Sequence, residues 1–356
     1  MKISFMPGDG IGPEICAATR LVLEAVDRKY GFGFTYSEID IGFTALRTYG
    51  STFPEASFSK AKEADALILG PVSHLDYPPR EQGGLNPSGE LRKRLDLYAN
   101  IRPARTREGL NSATGAEFDM VIYRENTEGF YADRCMYTGT GEVQVTEDVA
   151  LAMRRITRHA SMRIVDSAFA GAMQRRKKVT VVHKQNVLKV TDGLFLSCCR
   201  DVATRYPEVA YEELIIDAAC AHFVRRPESF DVVCTTNMFG DILSDLASEL
   251  SGSLGLAASL NAGDGVAMAQ AQHGSATDIA GKGIANPASL IGSSGMLLGW
   301  LGNERQSAEL AAAGQAILDA LDATVADPAT RTRDLGGALD TRNFAEAVVA
   351  SLRNLP

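Results

Sequence analysis

At 356 residues, with 45% hydrophobic and 22% charged residues, the chain has material for a substantial core and, at ~100–200 residues per domain, for two domains. A net charge of −8 argues against nucleic acid as the main partner, and no apolar run approaches the ~18 residues of a membrane span. The six cysteines, Cys16, Cys135, Cys198, Cys199, Cys220 and Cys234, form no C-x-x-C pair, and residues 1 to 12 lack a signal-peptide core, so reduced thiols in the cytoplasm are expected.

The first apolar run, Ile3 to Met6, leads into MPGDGIGPEI, residues 6 to 15. Its glycines follow G-x-G-x-G, whereas a dinucleotide-binding turn needs G-x-G-x-x-G. This reads as a strand-to-helix loop with permissive backbone, followed by a helix from Pro13 to Arg28. Next come a strand at Ala66 to Leu69, a loop marked by Pro78, Pro79, Gly83, Gly84 and Pro87, and a helix from Glu90 to Leu97. Strands are expected at Met120 to Tyr123, Val179 to Val182 and Val232 to Cys234. Helices are expected at Glu147 to Ala170, Phe239 to Leu250, Ser289 to Trp300 and Glu304 to Asp322, with a loop at Gly281 to Pro287. The alternation predicts an α/β protein.

Several residues at element ends have chemical potential. In NMFGDILSD, Asp241 and Asp245 stand four apart, so both carboxylates project from one helix face. They either complement the helix dipole or supply part of an oxygen ligand set for Mg²⁺ or Mn²⁺. Asp217, in LIIDAACAHF, is a capping aspartate or a third acid of that kind. Arg92, Arg102 and Arg124 sit at element ends, either solvated or as bidentate clamps for a polycarboxylate. Lys184, in VVHKQN, ends a strand and is a solvated terminus or, if desolvated, a base. His183 beside it suits packing or hydrogen bonding. Tyr131, in RENTEGFY, is a core aromatic or a proton donor. The glycine-rich HGSATDIAGKGIANP, residues 273 to 287, permits close backbone approach to a ligand.

Taken together, GDGIGPEI, DLYANIRP, RENTEGFY, VVHKQN, NMFGDILSD and HGSATDIAGKGIANP closely resemble the β-decarboxylating dehydrogenases, the family of isocitrate, 3-isopropylmalate, homoisocitrate and tartrate dehydrogenases. The resemblance implies a two-domain isocitrate/isopropylmalate dehydrogenase-like fold, not a Rossmann fold. Its large domain would comprise residues 1–98 and 252–356, and a small domain 99–251 would carry the dimer interface. It implies that NAD is held by His273, Gly274, Ser275, Ala276, Asp278, Ile279 and Asn286. An aspartate at 278 accepts from a ribose 2′-OH and repels a 2′-phosphate, which favours NAD over NADP. Arg92, Arg102 and Arg124 would hold substrate carboxylates, and Asp217, Asp241 and Asp245 the Mg²⁺ or Mn²⁺. Lys184 and Tyr131 would be catalytic. In a homodimer, Lys184 and Asp217 would act in the neighbouring subunit's site.

Two departures from the family pattern bear on specificity. Gln270, Ala271 and Thr277 replace a Glu-Pro pair and a proline around the cofactor loop, which alters loop rigidity and cofactor affinity. In EQGGLNPSGELRKR, isopropylmalate enzymes place leucines where this chain has Asn86, Ser88 and Glu90, whereas isocitrate enzymes carry a serine and an asparagine matching Asn86 and Ser88. Polar groups against an isopropyl branch are costly. The expected reaction is NAD- and metal-dependent oxidative decarboxylation of a (2R)-2-hydroxy acid with a 3-carboxylate, isocitrate or homoisocitrate first. Tartrate, D-malate and 3-isopropylmalate are alternatives, as is a non-catalytic regulatory subunit. Asn86 also replaces the serine that is phosphorylated in isocitrate enzymes regulated that way.

Overall fold

A computed structural model describes residues 1–131, 136, 139 and 141–355. In chain order the elements are β1 (Lys2–Met6), α1 (Gly12–Tyr30), β2 (Thr35–Glu38), α2 (Gly42–Tyr49), α3 (Glu55–Lys62), β3 (Ala66–Leu69), α4 (Pro87–Arg94), β4 (Ala99–Arg105) and β5 (Asp119–Glu125). There follow β6 (Glu142–Thr146), β7 (Val149–Ala152), α5 (Arg158–Met173), β8 (Lys178–His183), α6 (Thr191–Ala203), β9 (Ala210–Ile215), α7 (Ile216–Arg225), β10 (Val232–Thr235) and α8 (Asn237–Leu250). The chain ends with β11 (Leu260–Ala262), β12 (Ala267–Gln270), α9 (Ala288–Glu304), α10 (Ala308–Ala326) and α11 (Thr341–Asn354).

Two compact units result. The first contains Met1–Leu91, Arg107–Asn111 and Ser253–Pro356; the second contains Arg92–Thr106 and Ser112–Gly252. Arg92 to Tyr98 therefore lie in the second unit, and residues 107–111 return to the first. In the first unit β2, β1, β3 and β12 are neighbours in parallel, with β11 antiparallel beside β12. In the second, β5, β10, β8 and β9 run parallel and β4 is antiparallel beside β5.

The second unit shows why its strands read as continuous apolar runs. Val121, Tyr123, Val179, Val181, Val232 and Cys234 face Ile164, Val165 and Phe169 of α5 and Phe195 and Leu196 of α6. The alternate residues Met120, Ile122, Val182 and Val233 face Phe223 of α7 and Leu243 and Ala247 of α8. Side chains alternate between two faces, and helices cover both, so nearly every strand position is apolar.

In the first unit, Gly10 at φ 57° sits where an added Cβ would lie 1.9 Å from the Ser275 carbonyl oxygen. The Ile11 N–H donates to that same oxygen at 2.9 Å. Buried Asp9 fixes the loop, accepting from the Phe43 N–H at 2.8 Å, the Ser73 N–H at 3.0 Å and the Tyr77 hydroxyl. The glycine-rich turn after β1 is thus a structural seat for the 273–287 segment, as a loop of permissive backbone should be.

Two expected helices need correction. The segment from Glu147 is not helical until Arg158: residues 142–152 form the hairpin β6–β7, whose strands are exposed along their whole length. The α5 helix begins where the Thr157 side chain accepts from the Ala160 N–H, an N-cap that the apolar run before it obscures. The helix expected from Glu304 starts instead at Ala308, because α9 continues to Glu304 and Ser307 caps α10. Cys135 lies outside the described residues; the other five cysteines are free thiols.

Candidate active site

Strand register assembles the arginine and carboxylate cluster. In the β4–β5 pair Arg102 lies opposite Ile122, and Asn100 opposite Arg124, so both arginines project from one face as diagonal neighbours. Helix α8 packs on that face. It approaches closely because Gly240 has no side chain: a Cβ there would sit 2.6 Å from Cβ and Cγ of Arg124. Arg124 donates through Nε at 3.0 Å and Nη2 at 2.7 Å to Asn237 Oδ1, and ion-pairs through Nη1 with Asp241. Arg102 Nη1 reaches Asp241 at 3.2 Å, Ser244 Oγ at 2.7 Å and Asp245 at 3.3 Å. Tyr131 donates its hydroxyl to Asp241 Oδ2 at 2.8 Å, and its ring lies 5.4 Å from the Arg124 guanidinium carbon.

Arg102 and Arg124 are buried, while the Asp241 and Asp245 side chains are 34% and 57% exposed, so the cluster presents acids to solvent over a cationic floor. Burial, and then the repulsion of Arg124, lowers Arg102 to about 10. Burial pushes Asp241 upward, but Arg124, Arg102, the Tyr131 hydrogen bond and Arg92 outweigh it and hold its carboxyl below the usual range. Asp241 is therefore ionised at neutral pH, as a cation ligand must be. Ser244 and Asn237 belong to the cluster although sequence reasoning did not single them out. On α8, Asn237 lies four before Asp241 and Ser244 three after it, the i, i+3 and i, i+4 spacing of one helix face.

Lys184 and Asp217 meet by register too. His183 is aligned with Ile215 across β8–β9, so the next residues, Lys184 and the first turn of α7, are adjacent. Lys184 Nζ lies 2.5 Å from Asp217 Oδ1, with the side chains 27% and 61% exposed. The hydrogen bond from Lys184 lowers the Asp217 carboxyl. Among the described residues of one chain, no three His, Cys, Asp or Glu side chains gather as a metal group: Asp217 is not brought to Asp241 and Asp245. His183 has a hydrogen-bonding role, its Nδ1 accepting from the Gln185 N–H at 3.1 Å.

In the first unit, a cavity of about 250 Å³ is lined by His273, Gly274, Ala276, Ile279 and Asn286, together with Ile11, Gly255, Ile284, Ala285 and Asp334. Ser275 holds the rim, bonding Ser73 Oγ at 2.8 Å, and Asp278 is exposed. Asn286 is fixed by Asp334 at 2.9 Å and accepts from the Ala288 N–H at 2.9 Å. Burial lowers His273, keeping it neutral, and its buried Nε2 has no hydrogen-bond partner among the described residues. An orphaned ring nitrogen in a glycine- and isoleucine-walled cavity suits a nucleoside, and the volume suits a portion of a dinucleotide. Elsewhere in this unit Ser88 is buried and donates to Gln270 Oε1 at 3.1 Å, while Asn86 Oδ1 accepts from the Gly89 N–H at the start of α4. Asn86 is partly a helix cap, and the Ser88 hydroxyl is engaged internally.

Comparison with known proteins decides the family. The isocitrate/isopropylmalate dehydrogenase model matches residues 2–348. The chain belongs to the isocitrate/isopropylmalate dehydrogenase family. It is accordingly a decarboxylating dehydrogenase of that type. It is 42% identical over 99% of both chains to a 3-isopropylmalate dehydrogenase of Archaeoglobus fulgidus. It is 41% identical, again over 99% of both, to an isocitrate/homoisocitrate dehydrogenase of Thermus thermophilus. The crystal structure of isocitrate dehydrogenase from Methylococcus capsulatus superposes with a TM-score of 0.87 at 38% identity, covering 99% of each chain. The fold is thus that of this family of dehydrogenases. Relatives named for different acids stand one percent apart in identity, so overall similarity does not select the substrate.

Proposed function

We propose that the protein oxidatively decarboxylates isocitrate or homoisocitrate with NAD and a divalent cation. The observation that carries this reading is the convergence of Arg102, Arg124 and Tyr131 on Asp241 and Asp245. Buried guanidinium groups with exposed acids above them fit a chelating polycarboxylate: the arginines take its carboxylates bidentately, and the aspartates turn to the cation. Asp241 and Asp245, with Asp217 from the neighbouring chain, would hold a divalent cation, which when bound would supply Lewis acidity toward the substrate. Arg92, which contributes to the field on Asp241, joins the carboxylate set.

Lys184 would accept the hydroxyl proton, and NAD, when bound, would supply the hydride acceptor for C2. The C3–carboxylate bond then breaks, CO₂ departs, and Tyr131 delivers a proton to the carbon left behind. NAD is supported by the His273 cavity and by the exposed carboxylate of Asp278. The polar Asn86, Ser88 and Glu90 favour a polar third substituent over an isopropyl branch.

A homodimer completes the site, with Lys184 and Asp217 serving the neighbouring chain. Supporting it, the β6–β7 hairpin exposes Val143, Val145, Val149, Leu151 and Met153, and Ile242 on α8 is 50% exposed. A lone two-stranded hairpin with an apolar surface needs a partner to be stable. Buried free thiols fit a reducing compartment such as the cytoplasm.

The test is an initial-rate panel of isocitrate, homoisocitrate, 3-isopropylmalate, tartrate and D-malate, each with NAD and NADP, with and without chelator. Isocitrate or homoisocitrate with NAD should give the highest kcat/KM, abolished by chelator. A wide margin for isopropylmalate or for NADP overturns the specificity.

A further inference from the structure

Within the second unit, Gly129 and Arg155 form a neck at the base of the hairpin, exchanging backbone hydrogen bonds at 2.9 and 3.1 Å. Arg154, next to that neck, turns inward. Its side chain is 6% exposed and ion-pairs with Asp192 on the first turn of α6, whose side chain is 0% exposed. The guanidinium also donates to Thr191 Oγ1 at 2.9 Å and to Thr236 Oγ1 at 3.0 Å, and lies 5.7 and 5.5 Å from the ring centres of Phe130 and Phe239.

The second oxygen of Asp192 accepts the backbone N–H of Lys184 at 2.6 Å. One buried carboxylate therefore has the hairpin neck on one oxygen and the lysine's main chain on the other. A buried ion pair carries a desolvation penalty of several kcal/mol per ion, and a packed apolar pair serves stability as well or better. What an apolar pair cannot do is grip a specific N–H. A lysine side chain is long and flexible, so the placement of Nζ depends on both ends: Asp217 at the tip and Asp192 at the main chain.

We propose that Arg154 and Asp192 are positioning residues for Lys184, which fix its backbone and tie that position to the seating of the β6–β7 neck. The inference rests on Lys184 being the proton acceptor; Asp192 touches no reacting atom. A misplacement of about 1 Å in such a group costs on the order of 10²-fold in rate.

The experiment compares Asp192→Asn, Arg154→Lys and Lys184→Met with the full-length wild type, using the acid and nucleotide that the wild type turns over fastest. Asp192→Asn should lower kcat by ~10–100-fold while KM for the acid and for the nucleotide stays within about twofold, since binding groups are untouched. Arg154→Lys, which keeps the charge but not the three-way hydrogen bonding, should lose several-fold in kcat while remaining folded at the assay temperature, as circular dichroism would check. It serves alone if Asp192→Asn does not fold. Wild-type kcat in Arg154→Lys, or a loss in Asp192→Asn that falls on KM, overturns the positioning role if Lys184→Met is inactive. Activity surviving in Lys184→Met overturns the proton-acceptor reading, and the inference with it.

Discussion

Arg124 is ion-paired through Nη1 with Asp241 on the floor of the cluster, and donates through Nε and Nη2 to Asn237. Asp241 is also the acceptor for Arg102 and for Tyr131, so one carboxylate balances two cations and orients the Tyr131 hydroxyl. Asp241→Asn should therefore lower kcat/KM by at least ~10²-fold. The expected stability loss is at most ~3 kcal/mol, because the side chain is one-third exposed and water screens the charges left behind. Its folded carboxyl is held low, so the difference from wild type is full above the ordinary value of 3.8 and shrinks as pH falls below it. Urea titrations at pH 7 and at pH 3 measure both.

Glu128 carries the opposite dependence. Burial, and then Glu125, raise its carboxyl to about 7 against the bonds it accepts from the Thr157 N–H at 2.8 Å and hydroxyl at 2.9 Å. The folded protein then binds that proton more tightly than the unfolded chain. Its contribution is largest below the unfolded value of 4.5 and is lost as pH rises through about 7. Glu128→Gln should flatten the fall in stability between pH 5 and pH 8. Parallel slopes for wild type and variant exclude this origin.

On the proposed reading, nucleotide choice turns on Asp278. Replacing it with lysine, together with Ile279→Tyr, removes the repulsion of a 2′-phosphate and supplies a cation in its place. The ratio of kcat/KM for NAD over NADP should fall by at least ~10-fold, read from initial rates with each nucleotide. An unchanged ratio contradicts the assignment of Asp278 to the ribose.

On the proposed reading, acid choice turns on Ser88, whose hydroxyl donates to Gln270 Oε1, an oxygen that also accepts from Asn261 Nδ2 at 3.3 Å. Ser88→Leu replaces a polar group with an apolar one. The preference for isocitrate over isopropylmalate should drop by roughly 10–100-fold in relative kcat/KM. A shift in the other direction contradicts the reading of this loop.

Much of the site was legible because its residues lie at short, periodic spacings or at strand ends. Asp241 and Asp245 share a face by arithmetic alone, and Arg124 and Lys184 follow apolar runs that fold as β5 and β8. The hairpin was legible in principle: Val143, Val145, Val149, Leu151 and Met153 alternate with period two. It was missed because those side chains face outward, and the run merges with the helix capped at Thr157. The Arg154–Asp192 pair and the orphaned His273 Nε2 had no sequence signal, since each depends on partners brought together only by packing. The engagement of Ser88 by Gln270, 182 positions away, is of the same kind.

The composite site is tested most directly by mixing two inactive homodimers, Lys184→Met and Asp241→Asn, under conditions that exchange subunits. Each mixed dimer would then hold one site with both an intact lysine and an intact aspartate. At equal, random exchange, activity should return to about a quarter of wild type. Mixtures that exchange subunits, as verified by mass, yet stay inactive would show that Lys184 does not serve the neighbouring chain's aspartates.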